Sequence, residues 1–356
     1  METAAALHFF FPETGVDSLT PLGKGNINET LRVRLADGAS WVLQRLHPGV
    51  FADPAAVMAN MRLVTEFLGR GEDESVRFFR LGTNPRGHDR FIDSEGCCWR
   101  LLSYIGNTRT LEQVANEAQA ESLGRLLGRF HRLTASLPPE RLVDPLPGFH
   151  VTPHYLRQYD ALRQARGPVS REERHCAELI ERMRPLARVL EDARDRLSLR
   201  VIHGDPKAAN FLFAQDADQA VSLIDLDTVK PGLLLHDIGD CLRSCCNPLG
   251  EGHAHPEATV FVPDLFAALM AGYISQAGDL LGGFDRELLV RSAAVISFEL
   301  GLRFFTDHLA GDRYFKVRWP GQNLHRARIQ LQLNQSILVQ REALEHRLHT
   351  LLPALG

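Results

Sequence analysis

The chain has 356 residues, 24% of them charged, and its 44 Asp+Glu against 40 Lys+Arg leave a formal net charge of −4. With no dense basic run this balance argues against a nucleic-acid partner, and with no run of about 18 apolar residues no membrane span is expected. The length is too great for one small domain and suits two lobes, and a hydrophobic fraction of 44% is that of a soluble globular protein.

The N-terminus, METAAALHFFFPETG, has neither a basic n-region nor an A-x-A cleavage pattern, so no signal peptide is expected. Cysteines at 97, 98, 176, 241, 245 and 246 form no paired C-x-x-C set. Reduced thiols in a cytoplasmic protein are the expectation, with Cys241, Cys245 and Cys246 in an apolar helix interior rather than at zinc. A monomer and a homodimer are equally compatible with the chain.

Residues 1–20 read as a lead-in whose Phe9-Phe10-Phe11 cluster packs. In PLGKGNINETLRVR (21–34), Gly23 and Gly25 would let the backbone approach phosphates closely, and Thr30 to Leu35 would return as the second strand of a hairpin. Ala39 to Leu46 is a strand whose polar groups are Gln44 and Arg45. Alternation lets only one of the two face a cleft. Pro54 to Leu68 has helical spacing, with Asp53 placed to cap it and Glu66 either paired with a cleft cation or simply exposed. Arg77 to Arg80 and Gly96 to Leu102 read as strands, and Ser103 to Gly106 as a hinge.

Beyond the hinge the pattern is mainly helical. Leu123, Leu126, Leu127 and Phe130 form a core stripe beside a structural His131, and Pro138 to Pro153 reads as a loop that either holds a substrate or merely connects. Two amphipathic helices occupy 155–197.

The stretch RVIHGDPKAANFLFAQDADQAVSLIDLD (200–227) carries the chemistry. Val201-Ile202 is a buried strand entering a His-Gly-Asp turn. Phe211 to Phe213 and Val221 to Ile224 form a hairpin that brings Asn210 and Asp225 together. Phosphoryl transfer needs an aligned hydroxyl, neutralised phosphate charge and Mg²⁺ on oxygen ligands. Asp205 would accept the hydroxyl proton, Lys207 would steady the transferred group, and Asn210 with Asp225 would hold the metal. The Asp-to-Asn spacing of five matches the kinase template H-R-D-x-x-x-x-N. Asp227, two residues on, would either touch metal through water or position the loop. Asp237 and Asp240 in HDIGD would cap the start of a helix. Further helices span 263–277 and 287–305, and Asn323, Arg326 and Arg328 begin the last one.

The motifs His203-Gly204-Asp205-x-Lys207-x-x-Asn210 and Ile224-Asp225-Leu226-Asp227 resemble the catalytic and metal loops of the aminoglycoside phosphotransferase and choline kinase superfamily. The resemblance is closer to the N-acetylhexosamine 1-kinase group, through PLGKGNINET (21–30), LQRLHPGVFADPAAVMANM (43–61), WRLLSYIGNTRT (99–110), IDLDTVKPGLLLHDIGD (224–240) and GDRYFKVRWPGQNLHRARIQL (311–331). It implies an α+β, protein-kinase-like two-lobed fold, with a nucleotide-covering lobe over 1–104 and a mainly helical catalytic and substrate-binding lobe over 105–356. It also implies ATP and Mg²⁺ as cofactors, Ser103 and Tyr104 at the adenine, and a small-molecule hydroxyl acceptor, an N-acetylhexosamine phosphorylated at its anomeric hydroxyl; the alternatives are an aminoglycoside- or choline-kinase-like enzyme acting on another hydroxylated metabolite and a kinase-like binding protein without turnover. Arg303, in the apolar stretch SFELGLRFFTD where an unpaired charge is costly, would face that sugar, with Ile27 and Tyr314 in the same pocket. One departure stands out: where a kinase carries a phosphate-binding lysine, the 39–46 strand has none.

Overall fold

A computed structural model of the chain describes residues 2–23, 28–47, 49–51, 53–69 and 76–352. Gly25 and Ile27 lie outside these residues. The first part is an antiparallel sheet of β1 (Val16–Pro21), β2 (Glu29–Leu35), β3 (Ser40–Arg45), β4 (Leu81–Gly82), β5 (Arg90–Ile92) and β6 (Cys98–Ser103), in the order β1-β2-β3-β6-β4 with β5 also on β6. Helix α1 (Glu2–Phe10) covers one face, where Ala6 and Phe10 meet Val33, Leu35, Leu43, Trp99 and Leu101. Helix α2 (Pro54–Leu68) lies on the other, burying Val57, Met61, Val64 and Leu68. Asp53 caps α2 through the amides of Ala55 and Ala56, a contact worth about 1 kcal/mol.

After β7 (Thr108–Thr110) come the helices α3 (Glu117–Thr134), α4 (Thr152–Ala165) and α5 (Arg171–Met183). Strand β8 (Leu199–Ile202) pairs with β11 (Lys230–Leu233), and the hairpin β9 (Phe211–Ala214) and β10 (Ala220–Leu223) lies between them in sequence. Then follow α6 (Leu234–Cys245), α7 (Pro263–Ala277), α8 (Gly283–Leu309), α9 (Gln322–Val339) and α10 (Arg341–Leu351). Helices α3 and α7 cross at paired glycines. A Cβ on Gly124 would stand 1.9 Å from the Leu269 carbonyl oxygen, and one on Gly272 2.0 Å from that of Glu121. This close approach lets His131 of α3 and Tyr273 of α7 meet over α6.

Four expectations are corrected. The lead-in is a helix and an edge strand; β1 is exposed at every position, so no burial alternation marks it. Arg77 to Arg80 pairs as no strand: the Arg77 amide reaches across to the Val221 carbonyl, and ladder pairing begins only at Leu81. The helix from Gln322 is followed by another, because the Gln340 side chain is bonded to the Phe261 carbonyl and to Ser336, breaking a sequence with no stop residue. Asp237 does not cap its own helix, as shown below. Cys241, Cys245 and Cys246 are core residues. Among the described residues no helix is long and apolar enough to cross a membrane.

Candidate active site

Strand β8 delivers the chain into His203-Gly204-Asp205. Gly204 has φ +88°, and a Cβ there would lie 2.6 Å from the Thr228 carbonyl oxygen, so only glycine makes this turn. The amides of His203 and Gly204 donate to the two oxygens of Asp237 at 2.7 and 2.8 Å. His131 meets the same carboxylate at 2.9 Å and the Tyr273 hydroxyl at 2.9 Å. Burial would raise the Asp237 pKa, but His131 and these donors hold it below the usual value. The His203 ring donates from Nε2 to the Ile224 carbonyl (2.9 Å) and accepts the Asp205 amide at Nδ1 (3.2 Å). Burial lowers its pKa, which keeps that neutral tautomer. From the Pro138 to Pro153 loop, His150 donates to the Gly204 carbonyl at 2.8 Å and stands 3.1 Å from Glu299. Burial opposes its protonation, yet Glu299 raises its pKa overall.

On this base Asp205 is in ion contact with Lys207, both side chains partly open to solvent. Burial would raise the Asp205 pKa and lower that of Lys207; their pairing outweighs it in both cases. Asn210 donates its amide to the Asp205 carbonyl (2.8 Å) and carboxylate (3.2 Å), so its side-chain oxygen is the atom that could meet a metal. The Ile224 amide binds the Asn210 carbonyl at 2.9 Å, which closes the hairpin and sets Asp225 beside Asn210. Asp225 has a left-handed backbone (φ 68°). Among the described residues no hydrogen bond reaches its carboxylate. Burial and neighbouring Asp227 push its pKa up to about 7. An under-satisfied carboxylate beside a second one, with an amide oxygen at hand, fits a hard divalent cation.

The roof of the cleft comes from the sheet. Gln44 and Arg45 alternate, and the structure separates them. Arg45 shares the face of Leu43, bonded to Asp93 at 3.1 Å and paired with Glu95, so it is not among the cleft groups. Those partners also explain the Asp93, Glu95 and Cys97 cluster: Asp93 already accepts from Arg45, Trp99 and the Cys97 amide. Gln44 faces the cleft, donating to Thr30 at 3.1 Å and accepting from Arg100, its register partner on β6. Arg100 pairs with Asp227 at 2.5 Å, and Asn28 donates to Asp227 at 2.6 Å. Glu66 is exposed. The amides of Ser103 and Tyr104 bind the carbonyls of Arg80 (2.9 Å) and Ser40 (3.4 Å). Gly23, at φ +76°, has nothing within 4 Å of a would-be Cβ.

Arg303 lies on α8 inside four aromatic rings, 4.8 Å from the Tyr155 centroid, 5.1 Å from Phe149, 5.4 Å from Phe315 and 5.7 Å from Tyr314. Among the described residues no carboxylate is within ion-pair distance of it; Glu299 and Asp205 act on it through charge alone. Asp307 instead accepts the amides of Arg313, Tyr314 and Phe315 at 2.8–2.9 Å, holding Tyr314 at the rim.

Sequence reasoning missed Arg100, His150 and Glu299, and gave Asp237 the wrong partner. Arg100 had a signal, a lone charge inside CCWRLLS. His150 and Glu299 had none.

A family model described as "Phosphotransferase enzyme family" matches residues 18–280. Among solved structures, a microcompartment-associated aminopropanol kinase is 15% identical, with TM-score 0.67 over 97% of this chain and 98% of its own. An aminoglycoside phosphotransferase from Alicyclobacillus acidocaldarius is 15% identical, with TM-score 0.62 over 96% of each chain. Amicoumacin kinase in complex with AMP-PNP, Ca²⁺ and Ami is 17% identical, with TM-score 0.60 over 93% and 91%. The fold is the two-lobed, kinase-like α+β fold.

Proposed function

The chain belongs to the phosphotransferase enzyme family, and from that premise we propose that it transfers the γ-phosphoryl group of ATP, with Mg²⁺, to a sugar hydroxyl, the anomeric hydroxyl of an N-acetylhexosamine. That it is a phosphotransferase acting on a hydroxyl follows from the family. The observation that carries the residue assignment is the contact of Asp205 with Lys207 on a loop backed by Asn210 and Asp225.

Asp205 orients the acceptor hydroxyl and takes its proton at the carboxylate. Lys207 holds that carboxylate charged and meets the phosphoryl oxygens as they gain charge. Asn210 and Asp225 would hold Mg²⁺, which when bound neutralises phosphate charge. Residues 1–104, with Gly23, Gly25 and Gln44, cover the nucleotide; Ser103 and Tyr104 lead into the hinge at the base, and residues 105–356 carry the acceptor.

Arg303 supports a sugar. A guanidinium on the acceptor wall repels an ammonium group but donates well to a carbonyl or hydroxyl. Tyr314 and Ile27 complete that pocket in this reading. Similarity to an aminopropanol kinase keeps a second acceptor class in view, an amino alcohol. A screen of ATP consumption over free sugars and amino alcohols separates them. ADP formation with N-acetylglucosamine or N-acetylgalactosamine is expected. Turnover with amino alcohols alone would overturn the sugar while leaving the kinase.

A further inference from the structure

A kinase cleft ordinarily places its phosphate-side cation on the third strand and pairs it with a glutamate of the following helix. Neither partner is available here. Gln44 occupies the cleft-facing position of β3, and Glu66 of α2 is exposed. The α2 residue that turns inward is Asn60, bonded to the carbonyls of Val143 (2.7 Å) and Val229 (2.9 Å).

A cation is nonetheless present, one strand over. Arg100 is 0% exposed, and its Nε and one Nη bond Gln44 at 2.9 and 2.7 Å. The same Nη stands 2.5 Å from Asp227, and the other Nη has no hydrogen-bond partner among the described residues. Asp227 in turn receives Asn28, ahead of β2, at 2.6 Å. Asn28 ahead of β2 and Arg100 of β6 therefore converge on one carboxylate, with Gln44 of β3 joined to it through Arg100, two residues from Asp225 on the same short turn.

We infer that Arg100 and Asp227 replace the strand lysine and helix glutamate, and that their pair is a positioning device that docks the roof of the cleft onto the metal loop and fixes Asp225. The inference rests on the phosphotransferase reading of the Asp205 loop. It assigns Arg100 no contact with the reacting atoms; it acts through Asp227. A misplacement of about 1 Å at such a site is enough for a roughly 10²-fold loss of rate.

The test uses the full chain with Arg100→Met, Asp227→Asn, and a double variant, Gln44→Lys with Arg100→Met, which moves the cation to the usual strand. Calorimetry with ADP, with and without Mg²⁺, accompanies kcat and Tm. Arg100→Met should weaken Mg²⁺-dependent ADP binding about tenfold or more, leave metal-free ADP binding within about twofold, and lower kcat roughly 10²-fold. The double variant should recover about tenfold of that loss. If Arg100→Met does not fold, the isosteric Asp227→Asn carries the same measurement.

A folded single variant with Mg²⁺-dependent binding unchanged would overturn the inference. So would a double variant no better than the single one, because a cation serving stability alone is not restored from another strand. Wild-type protein that consumes no ATP with any acceptor would instead sink the phosphotransferase reading, and the calorimetric arm would still decide the role of Arg100.

Discussion

The floor and the roof of the cleft are built on opposite plans. On the floor, Asp205, Lys207, Asn210 and Asp225 lie within 21 consecutive residues, and their backbone is locked from behind by Asp237, His131, Tyr273 and His150. On the roof, the groups come from separate strands: Asn28 ahead of β2 and Arg100 on β6 meet at Asp227, and Gln44 on β3 holds Arg100. The floor is a loop whose turn is tied by hydrogen bonds from behind, while the Asp225 carboxylate receives none among the described residues. The roof is a junction centred on the buried Arg100–Asp227 ion pair. Changes to the floor should therefore act on chemistry or on folding, and changes to the roof on how nucleotide and metal are held.

The largest effect expected is that of Asp205→Asn, which should lower kcat by about 10²–10⁴ with Tm and nucleotide binding nearly unchanged. A variant keeping more than a tenth of wild-type kcat would remove Asp205 from its role. Next comes Asp237→Ala. It strands two buried amides and a buried histidine and should cost roughly 3–5 kcal/mol of stability, read by urea denaturation. A loss below about 1 kcal/mol would mean that the floor is not locked from α6.

Arg303→Leu should lower kcat/KM for the sugar by the equivalent of about 1.5–3 kcal/mol, with KM for ATP unchanged. Neither Asp227 nor Asp307 pairs with Arg303, so equal losses for both substrates would point to damage to the aromatic cage itself.

How much of this was legible follows the same division. The 200–227 stretch displays its chemistry because every group is local, and turn residues with hairpin alternation reveal which ends meet. The roof was opaque because facing depends on cross-strand register. Alternation said that only one of Gln44 and Arg45 faces the cleft, but not which, and nothing local says that residue 100 lies opposite residue 44. Asp237 was read correctly as a carboxylate serving unpaired amides, but the amides are those of His203 and Gly204 in the turn after β8, 34 and 33 residues away. His150 becomes meaningful only once its loop, tied down by Lys230 to the Phe149 carbonyl at 2.8 Å, lies against Gly204.

A pH measurement sharpens the comparison at Asp225, where the two plans meet. With its folded pKa near 7 and an unfolded value of about 4, the metal-free folded state holds a proton that the unfolded chain has released. This group's contribution to stability is thus present at low pH and lost as pH rises from about 4 to 7. The Tm gained from Mg²⁺ should grow over the same interval, and Asp225→Asn should flatten the trend; a wild-type gain independent of pH would contradict it. The smallest effect is expected from Arg45→Ala. Its pairs, with buried Asp93 and exposed Glu95, lie on the face away from the cleft, and KM for ATP should stay within about twofold. Gln44→Ala should change it more, and the reverse order would exchange the two residues.

The most direct test of phosphoryl transfer at the Asp205 loop is ³¹P NMR of ATP, Mg²⁺ and N-acetylglucosamine with wild-type protein and with Asp205→Asn side by side. The account predicts a new phosphomonoester resonance, growing in step with ADP and split by the anomeric proton, in the wild-type sample only. A resonance growing equally fast with Asp205→Asn, or ADP forming with no phosphomonoester on any hydroxylated acceptor, would contradict it.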